Sequence, residues 1–336
     1  MNTKVRVFLN AALRIVILGV SILFLWIQFG KKFQSGTFYD ELIHSFSNTG
    51  FTTYAIIACM LMPLNWALEI WKWKFLTKTF SNTSLSASFR GVISGITISM
   101  FLPNRIGDVA GKILWLDKGL RWKGFFANIF ASLAQITATL LLASAALLFF
   151  YSKFDHGFKE IHLSVAILIG TIFMTIIALL LYFRLEILTR ILAFFKSKKL
   201  KLIAEHSQII GDFNFSGKIL LLFLSFIRLM VYTSQFYCLL RAFGCIIDLT
   251  DGIMLIAVIY LVITVIPQFA ISEIATRSAI TLAIVQLFIF AGGTMSDSPE
   301  TPLLLSASAL WIINLFIPAI IGLFVLPSVK LTTIKL

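Results

Sequence analysis

Phe101-Leu102-Pro103-Asn104-Arg105-Ile106-Gly107-Asp108-Val109-Ala110-Gly111-Lys112 lies inside an apolar stretch running from about residue 91 to 116. Proline removes a backbone donor and ends or kinks a helix, and it pushes the residue before it toward extended geometry. Each half of the stretch is then too short for a comfortable bilayer crossing, which takes about 20 apolar residues. A second stretch, about 253–290, is broken in the same way. It reads Val265-Ile266-Pro267-Gln268-Phe269-Ala270-Ile271-Ser272-Glu273-Ile274-Ala275-Thr276-Arg277. Both stretches are expected to be re-entrant helical hairpins, because broken backbone at membrane depth is tolerated only where protein or a wet cavity covers it.

The rest of the chain requires a membrane. Of its 336 residues 59% are hydrophobic and 13% charged, with mean hydropathy +0.96 and 33 Phe. Soluble domains carry about a quarter charged residues. Six segments are long enough to span: about 12–29, 52–70, 125–150, 163–183, 219–240 and 303–325. The expected fold class is therefore all-α, a polytopic membrane protein with about six full spans plus the two hairpins. Lys4, Arg6 and Arg14 precede the first span. Lys31-Lys32 follows it in place of a small-residue cleavage site, so that span reads as uncleaved.

The net charge of +13 is spread between apolar runs. It reads as a topology signal and as contact with anionic lipid at basic inner loops, not as nucleic-acid binding. Most Lys and Arg fall on the side of the N-terminus, which predicts a multi-pass protein of the inner (plasma) membrane with both termini cytoplasmic. Trp66, Trp71 and Trp73 read as an aromatic belt at the inner end of the second span. Arg190–Phe213 and Phe38–Phe46 read as interfacial segments.

The chain is expected to form a single domain, 1–336, in two pseudo-repeat halves of about 1–155 and 156–336. Each half holds two spans, a broken hairpin and one span. An odd number of crossings per half inverts the second half relative to the first. Inverted repeats whose broken helices meet near the midplane recur among transporters.

In both hairpins a proline break precedes an acid, and a base follows four residues later. Asp108–Lys112 and Glu273–Arg277 are thus i,i+4 pairs on one helix face. Gly107/Gly111 and Ala275/Ala279 give small faces that let helices approach closely. Ionisable groups at membrane depth are costly and usually line a cavity or pair internally. A half-helix beginning after each break would aim amides and partial positive charge inward. Arg105 would add a donor fork suited to phosphate. Arg228, within the fifth span, either reaches the hairpin acids or snorkels to an interface. The candidate substrate-binding residues are Arg105, Asp108, Lys112, Glu273, Arg277 and Arg228, with hairpin breaks at Pro103, Asn104, Gly107 and Pro267. Cys59, Cys238 and Cys245 lack metal-ligand or redox spacing, and the four histidines fall in loops or at interfaces. No catalytic residue, metal site or cofactor is expected.

The Pro103-Asn104-Arg105-Ile106-Gly107-Asp108 block resembles the Pro-Gly-Arg-x-Gly-Glu pattern of the bacterial lysylphosphatidylglycerol synthase membrane region, the flippase-like domain family. Asn104 stands for the usual Gly and Asp108 for the usual Glu. The Pro267…Glu273 block and the Trp71-Lys72-Trp73-Lys74 stretch are similar to the family's corresponding segments. The resemblance implies a stand-alone membrane region with no aminoacyltransferase domain before Leu336, hence no enzyme activity of its own. It implies movement of a phospholipid or polyprenyl-phosphate-linked lipid between leaflets. The alternatives are a secondary transporter of a small anion and a membrane partner of a lipid-modifying enzyme or glycosyltransferase.

Overall fold

The structure, a computed structural model, describes residues 36–100, 106–154, 162–194, 213–266, 270–295 and 300–325, with Leu23, Trp26, Gly30 and Gly211 as isolated positions. Among the described residues there are helices and no strands. They are α1 (Thr37–Phe46), α2 (Phe51–Thr77), α3 (Leu85–Ser99), α4 (Ile106–Leu114), α5 (Arg121–Lys153), α6 (His162–Phe194), α7 (Phe215–Ala242), α8 (Leu249–Val265), α9 (Ala270–Phe290), α10 (Glu300–Trp311) and α11 (Ile317–Leu323). A π-helical turn, Ile312–Phe316, joins the last two.

Several helices start where short polar side chains can accept orphan amides. Ser84 Oγ accepts from the Ala87 amide at 3.1 Å, Asn214 Oδ1 from Gly217 at 2.8 Å, and Asp248 Oδ2 from Thr250 at 2.9 Å. Asp248 lies outside the spans, and the Thr250 amide holds its carboxyl below the ordinary carboxylate value.

The bundle has two ends. At the first, α2 finishes, the α3/α4 pair is rooted and α5 and α7 begin. There Tyr182 of α6 donates to Lys218 O at 2.6 Å, and Phe75 lies 5.9 Å from Phe213. At the second end α2 begins, and α5 and α7 finish. Asn48 Nδ2 donates to Arg241 O and Ala242 O, both at 2.9 Å, and Lys153 Nζ reaches both Asp251 oxygens at 2.5 and 2.7 Å.

Both expected hairpins fold back on themselves. In the first, Gly91 faces Lys112, Gly95 faces Asp108 and Gly111, and Ser99 faces Gly107. A Cβ on Gly107 would sit 2.2 Å from Ser99 N, and one on Gly111 would sit 2.1 Å from Gly95 N. Glycine is what lets these two backbones touch. In the second, Asp251 at the start of α8 meets Lys153, and Phe288 at the finish of α9 packs 5.6 and 5.8 Å from Phe150 and Phe154. The first hairpin is rooted at the first end and the second hairpin at the second end. Their inner parts meet through Ile96, Met100 and Ile274 beside Trp311 and Leu315.

Two expectations are corrected here. The first is that every hairpin half is too short to cross. This holds for α3 at 15 residues and α4 at 9, but α9 has 21 and its Glu273–Phe290 part is long and apolar enough to span. It is one of six such helices among the described residues. The other five match the expected spans from the second to the sixth. The expected first span, 12–29, lies outside the described residues except for helical Leu23 and Trp26. The second is that α2 stops near residue 70, which left Trp71–Lys74 at an interface. The helix instead runs on to Thr77, so its inward face at Asn65, Glu69, Lys72, Trp73 and Leu76 continues at helical spacing. Trp71 is exposed, whereas Trp73 and Lys72 are each only 1% exposed. Lys72, like buried Lys218, is not a loop charge that reports topology. α1, Thr37–Phe46, covers the expected Phe38–Phe46 segment, at the second end. Of Arg190–Phe213, the part beyond Phe194 lies outside the described residues apart from Gly211 and Phe213.

Candidate functional site

A cavity of about 700 Å³ lies where the two hairpins meet, walled also by α2, α5, α7 and α10. Seven charged side chains line it: Glu69, Lys72, Asp108, Lys112, Arg228, Glu273 and Arg277. Five of these are residues the sequence singled out. The remaining candidate, Arg105, lies outside the described residues, as do Pro103, Asn104 and Pro267. Gly107 is described, buried in the first turn of α4.

Asp108 and Glu273 sit in the first turns of α4 and α9, where partial positive charge favours a carboxylate. Each then meets the base one turn on. Lys112 Nζ donates to Asp108 Oδ2 at 2.8 Å. Arg277 donates to Glu273 Oε1 through Nε at 3.1 Å and Nη2 at 2.6 Å.

The first pair is wired further into the bundle. Lys112 Nζ also donates to Glu69 Oε1 at 2.5 Å and to Asn128 Oδ1 at 3.0 Å, so all three ammonium protons have acceptors. Glu69 Oε2 lies 3.0 Å from Arg228 Nη1 and 3.6 Å from Lys72 Nζ. Arg228 was expected to reach the hairpin acids or to snorkel to an interface; the acid it is shown to meet is instead Glu69 of α2. The guanidinium reaches Glu69, and Nε donates to Asn65 Oδ1 at 2.9 Å. The amides continue the chain. Asn65 Nδ2 donates to Asn314 Oδ1 at 3.0 Å, Asn314 Nδ2 to Gln235 Oε1 at 2.7 Å, and Gln235 Nε2 to Ala58 O at 2.8 Å. Asn314 lies in the π-helical turn, a distortion found often at functional sites.

Sequence reasoning missed Glu69 and Lys72. The available signal was that Glu69 is the sole acid in the apolar run Phe51–Thr77, with a base three residues later.

Chemically, the cavity presents four bases against three acids among the described residues, with most of the donors committed to internal carboxylates. Among the described residues no group of three or more His, Cys, Asp or Glu could hold a metal. Three of the lining residues, Ile106, Ile136 and Val265, are exposed apolar side chains.

Neither a curated protein nor a solved structure matches the chain. The family model described as the lysylphosphatidylglycerol synthase TM region matches residues 12–322. The apolar spans and this match together make the chain a multi-pass membrane protein of lipid-related function. It belongs to the lysylphosphatidylglycerol synthase transmembrane-region family.

Proposed function

We propose that the protein is a lipid translocator that moves a phosphate-bearing membrane lipid between leaflets. The observation that supports this reading is the charged cavity whose lining includes the exposed apolar residues Ile106, Ile136 and Val265. Such a rim lets acyl chains stay in the hydrocarbon while the headgroup enters a polar interior. A fully enclosed cavity would have favoured a small soluble anion instead. In this reading Arg105, Arg277 and Arg228 attract the phosphate. Asp108, Glu273 and Glu69 hold the bases in place, and Lys112 locks the first hairpin to α2. The halves 1–155 and 156–336 act as an inverted repeat, with hairpins rooted at opposite ends. Movement is passive or ion-coupled and leaves the lipid chemically unchanged. The protein works in the inner membrane with both termini cytoplasmic, and basic inner loops contact anionic lipid.

The test is leaflet exchange in proteoliposomes of labelled phosphatidylglycerol, aminoacylated phosphatidylglycerol and a polyprenyl-phosphate sugar. Arg105→Ala and Glu273→Gln are run beside wild type. The expected result is exchange of one lipid class that both substitutions abolish in folded protein. Folded wild type that exchanges none of them refutes the reading.

A further inference from the structure

The charges gathered at Glu69 do not balance. This carboxylate and Asp108 face three cations: Lys112 at 2.5 and 2.8 Å, Arg228 at 3.0 Å and Lys72 at 3.6 Å. Among the described residues this leaves one positive charge in excess, because Arg277 and Glu273 offset each other. A buried charge without a counter-charge is costly, the more so at membrane depth. Two events remove the excess: an anion enters the cavity, or a proton leaves one of the bases.

Their bonds decide which base can give the proton. Arginine does not deprotonate in proteins, which excludes Arg228 and Arg277. Lys112 has an acceptor for each ammonium proton, two of them carboxylates. Lys72 also lines the cavity but is held loosely. Among the described residues its side chain makes one long hydrogen bond, 3.4 Å to Gln135 Oε1, and its nearest carboxylate oxygen is 3.6 Å away. Gln135 Nε2 donates to Ser225 O at 3.3 Å, which keeps Oε1 turned toward Lys72. That oxygen accepts from an amine or an ammonium alike. The groups facing Lys72 are therefore Glu69 on its own helix, Asp108 and Lys112 on α4, Gln135 on α5 and Arg228 on α7.

We infer that Lys72 carries a proton into and out of the cavity together with the substrate's phosphate, so that the translocator is a proton–anion symporter. The inference rests on the translocator reading and names its energy source. As the phosphate arrives, the lone pair of Lys72 Nζ takes a proton from water and one N–H bond forms. As the phosphate leaves, that bond breaks and the proton returns to water. The load of one proton and one singly charged phosphodiester is neutral. Binding linkage is reciprocal, so the proton tightens the hold on the anion as much as the anion tightens the hold on the proton.

The experiment reads the steady-state leaflet ratio of a labelled lipid in proteoliposomes holding the full chain, with protein-free vesicles subtracted. The labels are phosphatidylglycerol, a polyprenyl-phosphate sugar and aminoacylated phosphatidylglycerol. A pH difference of about one unit and a potassium diffusion potential are applied separately. For either of the first two labels, the pH difference is expected to gather the lipid up to about tenfold in the leaflet facing the alkaline side, since one unit is a factor of ten for one proton. The potential alone should leave the ratio unchanged, because the load is neutral. In Lys72→Arg, whose side chain keeps its charge, the pH difference should lose its effect and the potential should sort the lipid instead. Lys74→Arg, at an exposed position on the same helix, should behave as wild type. Wild-type exchange that follows the potential and ignores the pH difference overturns the inference and leaves the translocator standing. So does a pH response that survives in Lys72→Arg, or exchange confined to the aminoacylated lipid, which brings its own cation. Exchange of no label overturns both readings. Should Lys72→Arg not fold, Lys72→Met and the two wild-type responses decide the matter.

Discussion

Glu69→Gln keeps the side chain's size and removes one charge from the centre of the bundle. Three cations depend on that charge: Lys112 at 2.5 Å, Arg228 at 3.0 Å and Lys72 at 3.6 Å. At an effective dielectric of 20, a contact of 3 Å carries about 5 kcal/mol of direct attraction, most of it offset by desolvation. What matters is the cost of stranding the partners, about 3–5 kcal/mol when one member of a buried pair is lost. Lys112 keeps Asp108, and Arg228 keeps the Asn65 carbonyl. The loss should therefore fall at the lower end, about 3 kcal/mol, or roughly a hundredfold in the folded-to-unfolded ratio. Lys72 suffers most, because Glu69 is its one carboxylate within 4 Å among the described residues.

The assay is reversible unfolding in mixed micelles titrated with a denaturing detergent. Asp251→Asn is the control. Its partner Lys153 is 42% exposed at the second end and returns to water, so the loss there should stay below about 1 kcal/mol. Adding Lys72→Met to Glu69→Gln should recover at least about 1 kcal/mol, since neighbouring charges couple by that order. The reasoning fails if Glu69→Gln costs no more than the control, or if Lys72→Met makes the double variant worse.

Other outcomes follow from single contacts. Gly111→Ala should lose about 1–3 kcal/mol in the same titration, because its Cβ would lie 2.1 Å from the Gly95 backbone. Gly119→Ala, with nothing within 4 Å, should stay within about 0.5 kcal/mol. In a variant lacking Cys59, a cysteine at Gly119 should label from one face of the membrane and one at exposed Thr294 from the other. Labelling of both from one face contradicts the opposed hairpins. Cys245, outside the spans, should stay silent in that experiment, since burial pushes its thiol up to about 12. For Asp248, whose carboxyl is held low by the Thr250 amide, stabilisation is complete above the unfolded carboxylate value of about 4 and fades as pH falls through the lower folded one. Asp248→Asn should remove that acid-side slope from unfolding curves recorded between about pH 2 and 5.

The parts of the molecule that local pattern determines were legible from residues alone. Proline breaks, an acid and a base one turn apart, and glycines four apart are all encoded within a few positions of each other, and the i,i+4 pairs form as spaced. What the pattern could not carry is length and distance. Nothing within Ala270–Phe290 distinguishes half of a hairpin from a helix long enough to cross, so α9 exceeded its expected role. Trp71-Lys72-Trp73-Lys74 has the composition of an interface; only the packing of α3, α4 and α5 against α2 turns Lys72 and Trp73 inward. The bonds that organise the cavity also bridge long separations. Glu69 and Lys112 are 43 residues apart, Asn65 and Arg228 163, and Asn65 and Asn314 249. Each is a polar group whose burial is tolerable only because a distant segment brings its partner. A single Glu in an apolar run announces such a debt without naming the creditor. In this bundle the partners come from α4 in the first hairpin and α7 across the core. The charge on Glu69 thus ties both the first hairpin and the fifth expected span to the second where they line the cavity.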